Sequence, residues 1–446
     1  MRKVFLKSIA VSLLVVFALA TGNAFDRQPG ADYHARREAL AKKAGGVIVL
    51  FAPLENSGGD AIYGFRQEDN FFYLSGVTEP GAALLIASAV EAVAAAPARP
   101  YTEILFLSPR NLTQEKWTGP KLGPDNPDAP KITGFDRVEE IGSLPDEVMK
   151  LATGTRPAVY TDVASHGESA STEALAFLKR INPFLSLQDV KPMLASLRTV
   201  KDSGEINLLR KAVDASVAAH FAALKAVKPN ITEREISALL QYEWGRRGCE
   251  RPAYTPIVGS GFFSTVLHYS EDSNTMKAGD VVVIDAAGEY SMYAADITRT
   301  LPVSGHFTAR QKEIYDIVLG AQEAAMAAFQ SGKSMLVGDS DASLYKVAKA
   351  YIKTHGKDLH GQPLDQYFIH GLGHYIGLNV HDAGDYKVPL GPGMAFTIEP
   401  GIYLPEESLG VRIEDDFLVG EDGKLIKLSG ALPSKAEDVE KAMAGK

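Results

Sequence analysis

Cysteine is almost missing. Cys249 is the only one in 446 residues, which excludes an internal disulfide, a zinc knuckle and an iron–sulfur site. Basic blocks are missing too. Lys and Arg number 46 against 55 Asp and Glu, a net charge of −9, so nucleic acid is excluded as the main partner. An apolar run long enough to cross a ~30 Å hydrocarbon core is not apparent, since Ser8 to Ala20 spans only about 13 residues. What is present is ordinary for a soluble globular protein: 46% apolar and 23% charged residues, which excludes disorder and a polytopic membrane protein. The length is about three times the ~150-residue norm for one domain, so two large or three small domains are expected.

The first residues read as an address. Arg2, Lys3 and Lys7 precede the uncharged run Ser8 to Ala20, the pattern of a secretory signal peptide. Two small-residue cleavage patterns follow, Ala18-Leu19-Ala20 and Gly22-Asn23-Ala24, and both stay open. The alternative is an anchor that is kept. No Cys lies near the boundary for a lipid anchor. A leader over 1–24 implies an exported protein, periplasmic or secreted, with no stable membrane anchor after cleavage and a mature charge of about −12.

Residues 30–192 read as an α/β domain. Val47 to Phe51, Phe71 to Leu74, Ala83 to Ile86 and Glu103 to Leu107 are expected as buried strands, and Thr172 to Ile181 as a helix. Gly119 to Pro130 is a loop. No catalytic motif stands out there.

Residues 198–432 repeat a plan. Asp202 with Glu205 forms a capping box for a helix carrying the stripe Ile206, Leu209, Val213, Val217, Phe221 and Leu224. Thr232 with Glu235 opens a second helix, and strands run to about 303. Thr308 with Gln311 then opens another helix, a further one runs from about Ser340 to His355, and strands return to about 419. Gly279 to Asp285 and Gly393 to Glu399 match locally at an offset of 114 residues, each strand ending in a carboxylate. Duplication predicts helices covering one face of a curved antiparallel sheet, with the other face free for a site.

The chemistry gathers in this second segment. If the hairpin after Val281 to Ile284 folds about its middle, Asp285 and Asp296 stand directly opposite, with Cβ atoms roughly 5 Å apart. Two bare carboxylates there repel, and a divalent cation reverses that sign. His370, His374 and His381 fall within twelve residues among glycines that admit close backbone approach. This is not the HExxH zinc-protease pattern, because Gly371 occupies the Glu position, and the two glycines make a regular helix doubtful. Glu399 and Glu414 end apolar runs in the second half. By the duplication Glu399 corresponds to Asp285, and Glu414 falls near the counterpart of Asp296. Four carboxylates with one or two imidazoles favour Mn²⁺ above Zn²⁺ or Co²⁺, and two ions above one.

These residues, in this order, resemble the five metal ligands of the dinuclear metallopeptidases with the "pita-bread" fold. His268-Tyr269, Asp285 to Gly288, His370 to His374, Val380 to Asp382, Thr397 to Gly401 and Arg412 to Asp415 look like the Xaa-Pro aminopeptidase (aminopeptidase P) branch. Phe65 to Gly76 is similar to a stretch of that branch's amino-terminal domain, so nearly the whole mature chain is covered. Phe262-Phe263 depart from the usual small or polar residues. The resemblance implies an α+β protein, a smaller α/β domain before a pita-bread catalytic domain. It implies that Asp285, Asp296, His374, Glu399 and Glu414 hold two divalent ions, with Asp296 and Glu414 bridging them. Glu399 would also serve as base, His268 and His381 would line the site, and His370 and Arg412 would support it. The activity implied is hydrolysis of the first bond of peptides with proline second, by a hydroxide between the ions, in a homo-oligomer (dimer or tetramer). A prolidase is the nearest alternative. Methionine aminopeptidase and a metal-free binding module on the same fold are further off.

Overall fold

The computed structural model describes residues 25–55, 63–91, 98–163, 169–338 and 340–445. The expected leader over 1–24 lies outside them. No helix among the described residues is long and apolar enough to cross a membrane.

The first domain is built on a six-stranded mixed sheet. Its order is Arg137–Glu140, Thr102–Leu107, Ala83–Ala87, Val47–Phe51, Ala158–Thr161 and Ser186–Asp189. The central strands read as unbroken apolar runs because both faces are covered. Ile48, Leu50, Leu84, Ile86, Leu105 and Leu107 enter one apolar cluster. Val47, Val49, Ala83, Leu85, Ile104 and Phe106 enter another. One expected strand is a helix instead: Phe71 to Leu74 lies within Asp69–Ser75. Glu68 decides this, since its carboxylate accepts from the Asn70 and Phe71 amides as a cap. A four-residue apolar run carries no period that separates helix from strand.

The second domain follows the repeated plan. Helices Ser203–Ala226 and Ala309–Ala328 each begin with a complete capping box, at Asp202/Glu205 and Thr308/Gln311. Each is followed by a partner helix, Glu233–Gly245 or Leu344–His355. All the strand pairs of this domain are antiparallel. The two halves meet where Thr298 bridges Glu414. The helices bury Val213, Leu224, Ile314 and Val318 with strand residues Val282, Ile284, Phe396 and Ile398 in one core, which the terminal helix Ala436–Ala444 also joins.

Charged pairs join the domains. Arg66 meets Glu289 at 2.8 Å and donates to the Leu378 carbonyl at 2.7 Å. Arg198, at the end of the helix Lys191–Arg198, and Lys201, just before the helix Ser203–Ala226, both grip the buried carboxylate of Asp382.

Candidate metal centre

Three of the expected ligands sit at strand ends, with Glu414 directly before Asp415–Val419, and Asp296 and His374 lie in connecting chain. Asp285 closes Val281–Asp285, and Glu399 follows Ala395–Ile398. The expected facing of Asp285 and Asp296 is corrected by the register. Asp285 pairs with Thr298, and Asp296 lies two residues beyond that pair, past the end of the ladder. The reason is the intervening chain: Gly288–Tyr290 and Tyr293–Ala294 make a hairpin of their own, paired to Arg251–Pro252. The second half shifts likewise. One step past the Ile398–Asp415 pair, Glu399 comes level with Glu414. The counterpart of Glu414 is therefore Thr298 rather than Asp296.

Asp296, His374 and Glu414 offer ligand atoms that all lie within 4.8 Å of one another. His374 Nε2 is 3.3 Å from Asp296 Oδ2 and 3.4 Å from Glu399 Oε1. Asp285 stands at the edge with both oxygens engaged, Oδ1 accepting from the Tyr254 hydroxyl at 2.6 Å and Oδ2 from Arg412 Nη2 at 2.7 Å. The His370 to His374 segment is not helical. It is held against Ala395–Ile398 and Glu399 by His374 N donating to Thr397 Oγ1 and Glu399 N donating to the Leu372 carbonyl. A Cβ on Gly373 would collide with the Thr397 carbonyl, so only glycine permits this approach.

The electrostatics are those of a site built for added positive charge. Burial foremost, with Asp296, Glu399 and Asp285 adding, holds Glu414 well above the usual carboxylate range. Burial lifts Glu399 to about 7 despite the opposing pull of His374. Burial also raises Asp285 against the pull of Arg412. Burial works against charge on His374, yet the carboxylates of Asp296 and Glu399 lift it to about 9. Asp296 Oδ1 is buried and accepts a hydrogen bond from no described residue. A buried acceptor left so is costly. Oxygen donors with one imidazole, one oxygen unclaimed and the acids forced toward their neutral forms fit hard or borderline divalent ions.

The remaining expected residues line one cleft of about 250 Å³, whose wall includes His268, His370, His381, Glu399 and Arg412. His268 and His381 are exposed. His381 stands edge-on to His374, ring centroids 4.3 Å apart. Arg412 is buried and donates from Nη1 to the Tyr403 hydroxyl at 2.9 Å, which lies 2.8 Å from His370 Nε2. With Tyr403 donating there, His370 Nδ1 carries the hydrogen and donates to the Gly371 carbonyl at 2.8 Å. Burial and Arg412 push His370 down to about 4, so it is neutral. Sequence reasoning missed Tyr254, Thr298, Thr397, Tyr403 and Asp416. Thr298 Oγ1 donates to Glu414 Oε2 at 2.6 Å, and Asp416 Oδ2 accepts from the Asp296 amide at 3.0 Å. Only Thr298, Thr397 and Asp416 carried a signal, lying two residues from an expected ligand.

Comparison with known proteins agrees with this geometry. Residues 207–421 match metallopeptidase family M24, and residues 33–160 match the aminopeptidase P N-terminal domain. The chain is 34% identical to the Xaa-Pro aminopeptidase of Haemophilus influenzae, covering 89% of this chain and 93% of that protein. It is 33% identical to the Xaa-Pro aminopeptidase of Escherichia coli, covering 92% and 97%. Among solved structures, aminopeptidase P from E. coli with the inhibitor Pro-Leu superposes with a TM-score of 0.80 at 31% identity, covering 94% of this chain and 99% of that one.

Proposed function

The chain belongs to metallopeptidase family M24, in its aminopeptidase P branch, and is an Xaa-Pro aminopeptidase; on that premise we propose that it removes the first residue from peptides with proline second, using two divalent ions, Mn²⁺ by ligand type. The observation that carries the reading is the convergence of Asp296, His374 and Glu414 within 4.8 Å beside Glu399. Asp285 and Glu399 complete the donor set. When bound, the ions supply a water acidified for attack near neutral pH and a Lewis acid for the scissile carbonyl.

The chain's own groups do the rest. Glu399 faces the cleft and serves as the base that takes a proton from the attacking water. It returns that proton to the leaving proline nitrogen. A bond to proline is a tertiary amide without an N–H, so a site that recognises the carbonyl side rather than the amide proton suits it. His268 and His381, on the cleft wall, contact the scissile region. Arg412 fixes one oxygen of Asp285 and, through Tyr403, orients the His370 ring. The substrate's free amino end faces the acidic side of the cleft, which suits removal of a single first residue.

The leader pattern supports export to a periplasmic or extracellular location, and a homo-oligomer, dimer or tetramer, belongs to the same reading. Amino-terminal sequencing of protein from fractionated cells tests the first: a mature start after Ala20 or Ala24 is expected, and an intact Met1 would count against it. The activity is tested with Xaa-Pro-Xaa tripeptides beside Xaa-Pro dipeptides and proline-free controls. Tripeptides cleaved at the first bond are expected. Turnover confined to dipeptides would make the protein a prolidase.

A further inference from the structure

Gln322 lies on the helix Ala309–Ala328 with no exposed surface, in the apolar layer beneath the ligand strands. Its Nε2 donates to the Ile398 carbonyl at 2.9 Å, to Asp415 Oδ2 at 3.0 Å and, more weakly, to the Ile413 carbonyl at 3.4 Å. Three acceptors around one atom fix which end of the amide is nitrogen. Its Oε1 is buried and accepts from no described residue. A leucine or methionine there would avoid that unpaired oxygen, so packing alone does not account for a glutamine.

The local backbone supplies the reason. Ile398 and Ile413 directly precede Glu399 and Glu414. The Ile413 amide donates to the Pro400 carbonyl at 3.4 Å. Pro400 has no N–H to return, so the ladder beside the two glutamates lacks its second bond. In the first half the matching bond exists: the Ala286 amide donates to the Ile297 carbonyl at 3.2 Å. Counted from the capping residues Asp202 and Thr308, Gln322 stands where the first half has Ser216, whose hydroxyl accepts from the Gly288 amide at 3.0 Å.

We infer that Gln322 is a positioning residue of the metal centre: its amide replaces the donor that Pro400 cannot provide and holds Glu399 and Glu414 at one separation from the helix side. The inference rests on the dinuclear reading above. It acts through two backbone carbonyls and touches neither substrate nor ion. Its loss should therefore loosen the ligand pair while leaving substrate recognition alone.

The test uses the full-length enzyme, stripped of metal and titrated with Mn²⁺ by calorimetry, with tripeptide hydrolysis measured in parallel. Gln322→Met should weaken Mn²⁺ binding at least about tenfold and lower kcat at saturating Mn²⁺, with KM unchanged. The metal-free Tm should change little, because loss of the unpaired Oε1 offsets the donor withdrawn from the two carbonyls and Asp415. Adding Pro400→Ala to Gln322→Met restores an N–H and should recover part of the affinity. Gln322→Asn, which withdraws the donor by one methylene, is the milder variant if Gln322→Met does not fold, and it should bind Mn²⁺ more weakly than wild type. Wild-type affinity and kcat in Gln322→Met, or in Gln322→Asn should it alone fold, would overturn the inference. So would an absence of rescue by Pro400→Ala. A wild-type enzyme that takes up no metal would instead overturn the reading beneath it.

Discussion

Thr298 Oγ1 donates to Glu414 Oε2 at 2.6 Å, across the seam where the two halves of the catalytic domain bridge each other. That bond engages one oxygen of Glu414 and so directs how its carboxylate meets an ion. Thr298→Val keeps the shape and removes the donor. Mn²⁺ affinity should fall about tenfold, ~1.4 kcal/mol, with little change in Tm of the metal-free protein. Calorimetric titration checks this, and unchanged affinity would mean that the hydroxyl is incidental.

Arg412 and Asp285 form a buried pair, 2.7 Å apart, with side chains 4% and 12% exposed. Removing one partner of such a pair leaves an uncompensated charge, at a cost of about 3–5 kcal/mol. Arg412→Met should lower the stability of the metal-free enzyme by that order in denaturant titration. It should cut kcat as well, because Asp285 and the Tyr403–His370 pair lose their common anchor. Full stability in the variant would show that Asp285 is already neutral there.

Asp382, beside His381, is held by Arg198 and Lys201 at the start of the second domain. Asp382→Ala should cost about 3–5 kcal/mol, because buried Lys201 loses its carboxylate and Arg198 keeps only the more distant Asp69. It should also lower kcat/KM, because the His381 loop loses its anchor to Arg198 and Lys201 and keeps only the contacts of Leu378 and Asn379 with the first domain. Steady-state kinetics below the variant's Tm separate the two effects, and normal kcat/KM there would detach the loop from function.

Metal uptake should release protons. Without metal, His374 is lifted to about 9 and Glu399 to about 7, and Glu414 is held well above the usual range. At pH 7, His374 therefore carries its proton and Glu399 is partly protonated, while Glu414 is biased toward its neutral form. Ligation demands that these protons leave, so affinity rises with pH until about 9 and falls in acid. Calorimetry in buffers of different ionisation enthalpy should report at least about one proton released per enzyme filled at pH 7. No release would contradict the charge state argued for the cluster.

Local signals were legible and tertiary ones were not. Both long helices were readable because the capping boxes at Asp202/Glu205 and Thr308/Gln311 lie within four residues. Asp285 and Glu399 were readable as carboxylates ending apolar strands, and the set of five was legible only through the family resemblance. The Asp285–Thr298 register was not, because the chain between Asp285 and Asp296 folds against Arg251–Pro252. Phe71 to Leu74 was misread because its state depends on the cap at Glu68. Tyr254 and Gln322 were invisible. One reaches Asp285 from 31 residues away and the other reaches the Ile398 carbonyl from 76, and no local pattern marks either.

The central claim is that this cluster of acids works only around two divalent cations. The direct measurement is a titration of metal-depleted enzyme with Mn²⁺, following hydrolysis of an Xaa-Pro-Xaa peptide. No turnover without metal, and activity that climbs to a plateau at two ions per chain, is the result predicted. Full turnover by enzyme shown to be free of metal, or a plateau indifferent to added Mn²⁺, would contradict it.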